Sequence, residues 1–321
     1  MSAGGGSRAI FAALTANLGI AALKFLAYSL THSSAMLAEG IHSVADSGNQ
    51  VLLLVGRTAS RKRADAEHPF GHGRNSYIYG FIVAIMLFSV GGLFALYEAY
   101  HKWQDPHPLE GSWWWVPIAV LLGGIVLEGR SFFVAATETT KIKGRQSWFG
   151  FIRTAKSPEL PVILLEDFAA LIGLVLALVA VSLTLVTGNG LWDAAGSACI
   201  GVLLVTVAAV LAVEMKSLLL GESASTRNVA AIRAALEGDG QNRIIHLKTL
   251  HLGPEEILVA AKIGVDGCTE AQDLVDRINE AERRIRETVP WARVIYIEPD
   301  IERAGPPAAA SAQQQGPHLR P

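Results

Sequence analysis

Long apolar runs alternate with short polar segments over the first 220 residues of the chain. Each run exceeds the roughly 20 residues that a helix needs to cross about 30 Å of hydrocarbon. We therefore predict six membrane-spanning helices, at residues 9–30, 35–55, 77–97, 113–136, 160–186 and 191–220. The alternative is a soluble fold with large buried helices, but these runs would leave too little polar surface to solvate it.

The composition supports the membrane interpretation. Of the 321 residues, 51% are hydrophobic and only 17% are charged, whereas soluble domains usually carry about 25% charged residues. The mean hydropathy is +0.35. The net charge of -2 averages acidic and basic segments, so it identifies no partner. The two cysteines are too few for a disulfide framework or a cysteine metal site.

Lysine and arginine are concentrated in two loops. The loop after the second span reads GRTASRKRADAEHPFGHGR, and the loop after the fourth reads KIKGRQSWFGFIRTAK. The loops after the first, third and fifth spans hold a single lysine between them. Because basic loops stay in the cytoplasm, both termini are predicted to be cytoplasmic. The compact loops suit a bacterial inner membrane, with an organelle membrane as the alternative.

Beyond Gly221 the chain becomes charged and alternates between short elements. We predict helices at 228–237 and 269–288, and strands at 243–252, 256–265 and 293–297. The predicted fold class is thus an α-helical membrane protein whose six transmembrane helices precede a small α+β cytoplasmic domain of order α-β-β-α-β. We place the transmembrane domain at 1–221, the cytoplasmic domain at 222–303 and a disordered Pro-, Ala- and Gln-rich tail at 304–321.

His42 and Asp46 lie four residues apart within the second predicted span. Four residues is about one helical turn, so both side chains are expected on the same side of the helix. An ionisable residue is costly inside a membrane and marks a candidate functional site. The pair suits a divalent-metal site or a proton relay. A structural polar patch is the alternative, although such patches are usually built from Ser, Thr or Asn.

Glu166 and Asp167 form an acidic pair inside the fifth predicted span. Consecutive residues diverge by about 100° around a helix, so both cannot face one centre equally well. We expect one carboxylate to face the site and the other to face a neighbouring helix or the cytoplasmic mouth. The alternative is an acidic pair at the membrane surface.

Charged residues also occur in the first and fourth predicted spans. Together with Glu39 in the second span, these charges can neutralise one another across helices. We interpret Glu128 and Arg130 as members of such internal salt bridges, with a direct role for Glu128 in the ion path as the alternative. Lys24 is interpreted as a residue that extends its ammonium group towards the membrane surface.

A further candidate site lies in the basic loop after the second span, in the segment DAEHPFGHGR. Asp65, His68 and His72 offer one carboxylate and two imidazoles, which are ligand types that Zn²⁺ accepts. A loop that binds lipid headgroups, with incidental histidines, is the alternative.

These motifs together resemble the cation diffusion facilitator family, whose members are proton-coupled exporters of divalent metals. The matching segments are SSAMLAEGIHSVADSGNQ and HPFGHGR, the acidic fifth span, and VIYIEPD near the end. The run VILLEDFAALIGL, followed by TGNGLWDAAGS, is similar to the zinc-transporter-nine branch. The resemblance covers nearly the whole chain and implies six spans, a metallochaperone-like cytoplasmic domain and a homodimer.

The resemblance also implies a set of ligands. Family members typically carry two metal ligands four residues apart on the second span and two more on the fifth. His42 and Asp46 match the first pair, and Asp167 matches the second member of the other. Its usual partner position holds Ile163, which cannot ligate a metal. Three groups are candidates to complete the shell: Glu166, a water molecule or Asn49. Asp65, His68 and His72 match the family's loop metal site residue by residue.

The implied function is proton-coupled export of Zn²⁺ by alternating access. Because the predicted site is rich in oxygen ligands, Mn²⁺, Co²⁺, Fe²⁺ and Cd²⁺ are alternative substrates. Metal and protons compete for the same ligands, and the ordinary histidine pKa of about 6.5 suits this exchange. A non-transporting metal sensor or scaffold is a rival hypothesis. We do not expect an enzyme, because no HExxH motif is present, and we expect no nucleic-acid partner.

Overall fold

A computed structural model describes residues 3–31, 34–106, 115–238, 240, 242–265 and 270–300. Within the first two helices, this description excludes the side chains of residues 3–5, 30, 31, 34–39, 41 and 42. The chain divides into two compact units, Met1–Glu222 with His251–Glu256 and Ser223–Leu250 with Ile257–Pro321. The tail predicted at 304–321 lies outside the described residues.

The first unit consists mainly of long helices. They are α1 (Ala3–Thr31), α2 (Ser34–Ser60), α3 (Asn75–Met86), α4 (Phe94–Gln104), α5 (Trp115–Lys143), α6 (Trp148–Thr154), α7 (Glu159–Thr187) and α8 (Leu191–Leu220). A π-helical segment, Leu87–Leu93, joins α3 to α4 without a break. Buried apolar residues from these helices form one continuous core, which includes Ile10, Val83, Ile163 and Leu211.

Five stretches of the described chain are helical, long and apolar enough to cross a membrane. They are Gly6–Ser29, Asn75–Gln104, Trp115–Lys143, Glu159–Thr187 and Leu191–Leu220. Helix α2 is not among them, although its 27 residues are sufficient for a span. Its sequence carries Glu39, His42, Asp46, Asn49 and Gln50, which lower its hydropathy. The predicted class of α-helical membrane protein is confirmed, and α2 occupies the position of the second predicted span.

The chain after Glu222 has the predicted α-β-β-α-β order, and all of it except His251–Glu256 belongs to the second unit. Its elements are α9 (Thr226–Glu237), β1 (Arg243–Gly253), β2 (Glu256–Gly264), α10 (Ala271–Thr288) and β3 (Ala292–Asp300). The sheet order is β1-β2-β3, and β2 pairs with β3 in parallel. Ile232, Ile257 and Ile285 are fully buried between the two helices and the sheet. The α+β prediction is confirmed.

Local signals explain where α9 begins and ends. The Ser225 hydroxyl accepts a hydrogen bond from the Asn228 backbone N–H at 3.3 Å, which caps the first turn. At the other end Gly238 adopts a φ of 46°, a left-handed conformation that glycine accepts without a steric penalty. The helix is therefore bounded by its own sequence.

Glycines lie where α8 and the third span approach each other closely. A Cβ atom on Gly201 would lie 2.7 Å from Leu96 Cγ and 3.0 Å from the Leu96 backbone nitrogen. A Cβ atom on Gly92, in the π-helical segment, would lie 2.7 Å from Val205 Cγ2. Small residues at such contacts let membrane helices pack backbone to backbone, which strengthens dispersion contacts where no hydrophobic effect drives association.

We therefore predict that Gly201→Ala destabilises the helix bundle by about 1–3 kcal/mol, because the added methyl group meets backbone that cannot rotate away. Gly129→Ala is the matched control, since nothing lies within 4 Å of a Cβ atom there; alanine in a helix should be neutral or stabilising by up to about 1 kcal/mol. Thermal unfolding of the purified protein in detergent measures both. Equal melting temperatures for the two variants would contradict this packing.

Candidate functional site

Helices α1, α2, α5, α7 and α8, with the third span, surround a cavity of about 250 Å³ in the first unit. Most of its lining is apolar. Its polar lining residues lie in two groups. The inner group is Asn17, Lys24, Ser43, Asp46, Glu128, Glu166 and Asp167, and the outer group is Glu98, Lys102, Asp193 and Ser197. The cavity thus connects carboxylates buried in the bundle with a polar end near the tips of α4 and α8.

Asp167 is held by the packing of α7 against α5. Its side chain is buried, and Oδ2 accepts a hydrogen bond from Ser131 Oγ at 2.6 Å. This bond joins α5 to α7. The carboxylate is therefore fixed in orientation at the cavity wall.

Glu166 also lines the cavity, and its carboxylate is bonded to α2. Its Oε1 accepts a hydrogen bond from Asn49 Nδ2, and its Oε2 accepts one from Gln50 Nε2, both at 2.9 Å. Gln50 Oε1 in turn accepts a bond from Asn17 Nδ2 at 3.3 Å. The expected divergence of the acidic pair is present, with Asp167 bonded to α5 and Glu166 bonded to α2. Both side chains are buried in the bundle.

Asp46 lies on α2 and lines the same cavity as Asp167. His42 lies one turn earlier in the same helix, as the spacing predicted, but its side chain is outside the described residues. The structure thus brings Asp46 and Asp167 to one cavity. The role of His42 as a ligand stays a prediction.

Ile163 lies one turn before Asp167 on α7 and is fully buried in the apolar core of the bundle. Its side chain packs among other hydrocarbon groups and offers no donor atom. The ligand that the family usually carries at this position must therefore come from elsewhere or be absent.

Among the described residues, neither Glu128 nor Arg130 forms one of the salt bridges predicted across helices. Residues two positions apart are rotated by about 200° around a helix. Glu128 is therefore buried on the inner face of α5, whereas Arg130 is exposed. Lys24 does not reach towards the membrane surface either. It is buried, and its Nζ donates a hydrogen bond to Ser43 Oγ at 2.9 Å beside the cavity.

Lys102 organises the other end of the cavity. Its Nζ lies 3.0 Å from a Glu98 carboxylate oxygen and 2.9 Å from one of Asp193, and it donates to Ser197 Oγ at 3.2 Å. These contacts tie α4 to the beginning of α8. A cation that moved along the cavity would meet this network.

Asp65, His68 and His72 lie together in the loop, as predicted. His72 Nε2 is 3.0 Å from Asp65 Oδ2, and His68 Nδ1 is 3.3 Å from Asp65 Oδ1. One ligand atom from each residue falls within a 4.8 Å group, which is a spacing that a metal ion can bridge. The side-chain bond from His72, the backbone N–H of His68 and Lys62 hold the pKa of the Asp65 carboxyl well below its usual range.

Two polar residues in the hydrogen-bond network of the acidic pair were not anticipated, one in direct contact with it and one linked to it through Gln50. Ser131 bonds Asp167, and Asn17 bonds Gln50. A single serine or asparagine in an apolar span is ordinary in membrane helices. The role of such a residue follows from its hydrogen-bond partner, and the packing of separate helices determines which partner it meets.

Comparison with known proteins defines the class. A sequence profile of the cation efflux transmembrane domain matches residues 10–220. The human mitochondrial protein named proton-coupled zinc antiporter SLC30A9 is 35% identical over 248 residues, which are 76% of this chain and 43% of that protein. The Arabidopsis thaliana metal tolerance protein C4 is 28% identical over 279 residues, 86% of this chain and 60% of that protein.

The alignment with a bacterial relative extends over most of both chains. The Bacillus subtilis manganese efflux system protein MneS is 26% identical over 289 residues, which are 88% of this chain and 91% of that protein. By contrast, the chain spans less than half the length of the human relative.

Fold and site together define a multi-pass membrane protein in which acidic side chains from several helices face one cavity. The chain belongs to the cation diffusion facilitator family of cation-efflux proteins. Within it, the chain resembles the zinc-transporter-nine branch.

The loop geometry generates a prediction about Asp65. Asp65→Asn should raise hydrogen exchange at the His68 amide, whose N–H donates to Asp65 Oδ1 at 2.8 Å. Because the pKa of Asp65 is lowered, protection in the native loop should be complete above the ordinary aspartate pKa of about 3.9 and weaken as pH falls below it. Glu67→Gln, an exposed neighbour, is the control. Unchanged exchange in Asp65→Asn would contradict this role.

Proposed function

We propose that this chain exchanges a divalent metal ion for protons across a membrane, with Zn²⁺ as the preferred substrate and export from the cytoplasm as the direction. The observation that carries the proposal is the convergence of Asp46 and Asp167 from different helices on one intramembrane cavity. Carboxylates at such a depth are costly unless a cation or proton neutralises them. A cargo ion that alternates with protons supplies that charge.

The chemistry of exchange follows from the donor set. His42, Asp46 and Asp167 bind metal only when the imidazole is neutral and the carboxylates are ionised, so metal and protons compete for the same atoms. A separate proton channel is unnecessary. In this proposal Glu166 orients α2 against α7, because each of its carboxylate oxygens already accepts a hydrogen bond.

The choice of metal rests on relatives and on ligand type. The human relative is named a zinc antiporter, which supports Zn²⁺, and the Bacillus subtilis relative is named a manganese efflux protein. An oxygen-rich site binds Mn²⁺ more readily than a nitrogen- and sulfur-rich one does. We place Zn²⁺ first, with Mn²⁺, Co²⁺, Fe²⁺ and Cd²⁺ as competitors to be tested in the same vesicles.

The oligomeric state, the membrane orientation and the cellular location are further parts of the proposal. We propose a homodimer with cytoplasmic termini, the second unit being its cytoplasmic domain. A bacterial inner membrane is the location predicted from the compact loops, and the mitochondrial name of the human relative supports the organelle alternative.

His42→Ala or Asp46→Ala should abolish metal-driven proton flux, because each removes a proposed ligand of the transported ion. Proteoliposomes with a pH-sensitive dye inside and Zn²⁺ added outside measure this flux. Ser47→Ala is the matched control on the same helix, since its hydroxyl donates to the Ser43 carbonyl one turn earlier and it does not line the cavity. Undiminished exchange by either ligand variant would refute the assigned site.

The loop cluster should have a milder effect. The double variant His68→Ala/His72→Ala should lower the apparent affinity for Zn²⁺ roughly 10-fold or less without stopping transport, because the loop lies outside the cavity and captures ions before they enter it. Transport rates over a range of Zn²⁺ concentrations separate affinity from maximal rate. Complete inactivity of the folded double variant would show that the loop is essential.

A further inference from the structure

Glu128 lies one helical turn from the residue that holds Asp167. Ser131, which donates to Asp167 Oδ2, is three residues after Glu128 on α5. Residues three apart share a helix face and are separated by about 4.5 Å along the axis. Both line the inner face of α5, so the Glu128 carboxyl group is directed to the part of the cavity that Asp167 borders.

The Glu128 side chain is buried yet incompletely bonded. It is 3% exposed, and its Oε2 has no hydrogen-bond partner among the described residues. Asp46 and Asp167 lie close enough for their charges to act on it, and Lys24 is the cation within the same range. An unpartnered carboxylate oxygen in an apolar bundle is costly. In this inner group of described lining residues, carboxyl groups outnumber the one ammonium group, that of Lys24, and a bound cation would balance them.

The other candidates for the missing ligand are less suitable. Both carboxylate oxygens of Glu166 accept amide hydrogen bonds. Asn49 has an unpartnered side-chain oxygen, but its amide nitrogen is bonded to Glu166 and the residue does not line the cavity. Glu128 combines a cavity position with a carboxylate oxygen that has no partner among the described residues.

We propose that Glu128 is a ligand of the transported metal ion and supplies the coordination that Ile163 cannot. The inference rests on the proposed function. The resulting shell has one imidazole nitrogen, from His42, and three carboxylate oxygens, from Asp46, Asp167 and Glu128. Such a set suits Zn²⁺ and also admits harder divalent ions such as Mn²⁺.

Metal titration of the purified full-length protein in detergent tests the assignment. Glu128→Gln keeps the size of the side chain and removes its charge, so Zn²⁺ affinity should fall by about 10-fold or more. The visible spectrum of the Co²⁺-loaded protein should change, because one oxygen ligand is lost. Glu128→His should restore binding at neutral pH, since an imidazole can replace the carboxylate as a donor.

Glu138→Gln is the matched control. Glu138 is a buried glutamate on the same helix, but Lys141 binds it at 2.6 Å and it does not line the cavity. Its variant should bind Zn²⁺ as the native protein does.

The outcomes separate the two proposals. Native protein that transports, with Glu128→Gln equal to it in affinity and Co²⁺ spectrum, would overturn the Glu128 assignment alone. Loss of binding in Glu128→Gln that Glu128→His does not restore would show a structural role and also overturn it. Native protein that neither binds nor transports any divalent ion would overturn the proposed function and the ligand assignment together.

Discussion

Carboxylates surrounded by hydrocarbon are the constraint on which the arrangement of this helix bundle depends. Each charge needs a donor or a cation close by, since water is not available to solvate it. Ser131 meets Asp167, and the amides of Asn49 and Gln50 meet Glu166. These bonds run between helices, so the acidic pair on α7 determines which faces of α5 and α2 turn inward.

The same constraint links structure to transport. If fixed donors satisfied every buried carboxylate, the bundle would offer no free ligand atom to a transported ion. Here α2 and α7 present Asp46 and Asp167 to a cavity, and α5 adds a partly unbonded Glu128. At the other end Lys102 is bonded by carboxylates from α4 and α8. The cavity thus combines an inner region short of positive charge with an outer region neutralised by the protein itself.

The helices around the cavity pack closely at glycines, and a π-helical segment interrupts the regular α-helix of the third span. Glycines at positions 92 and 201 bring the third span against α8, while the π-helical segment between α3 and α4 places Leu87 and Gly91 on the cavity wall. Such segments are short in proteins and frequently occur at functional sites, because their extra residue shifts the helix face that follows. The face of α4 that carries Glu98 is set by this shift.

The sequence by itself determined the elements and the residue types of the site. Apolar length predicted the spans, and turn residues with amphipathic periodicity predicted the α-β-β-α-β unit, since these signals act within one turn or one strand. The four-residue spacing on α2 and the cluster of Asp65, His68 and His72 were also predicted from residues close together in the sequence.

Only the tertiary structure decided which charges meet. Glu128 and Arg130 were expected in salt bridges across helices, but Glu128 is buried beside the cavity, Arg130 is exposed, and neither is ion-paired among the described residues. The partner of Asp167 is a serine 36 positions away in sequence, and the π-helical segment has no sequence signal of its own. Contacts between separate helices depend on packing in three dimensions, and no periodicity along one helix encodes the neighbour that it meets.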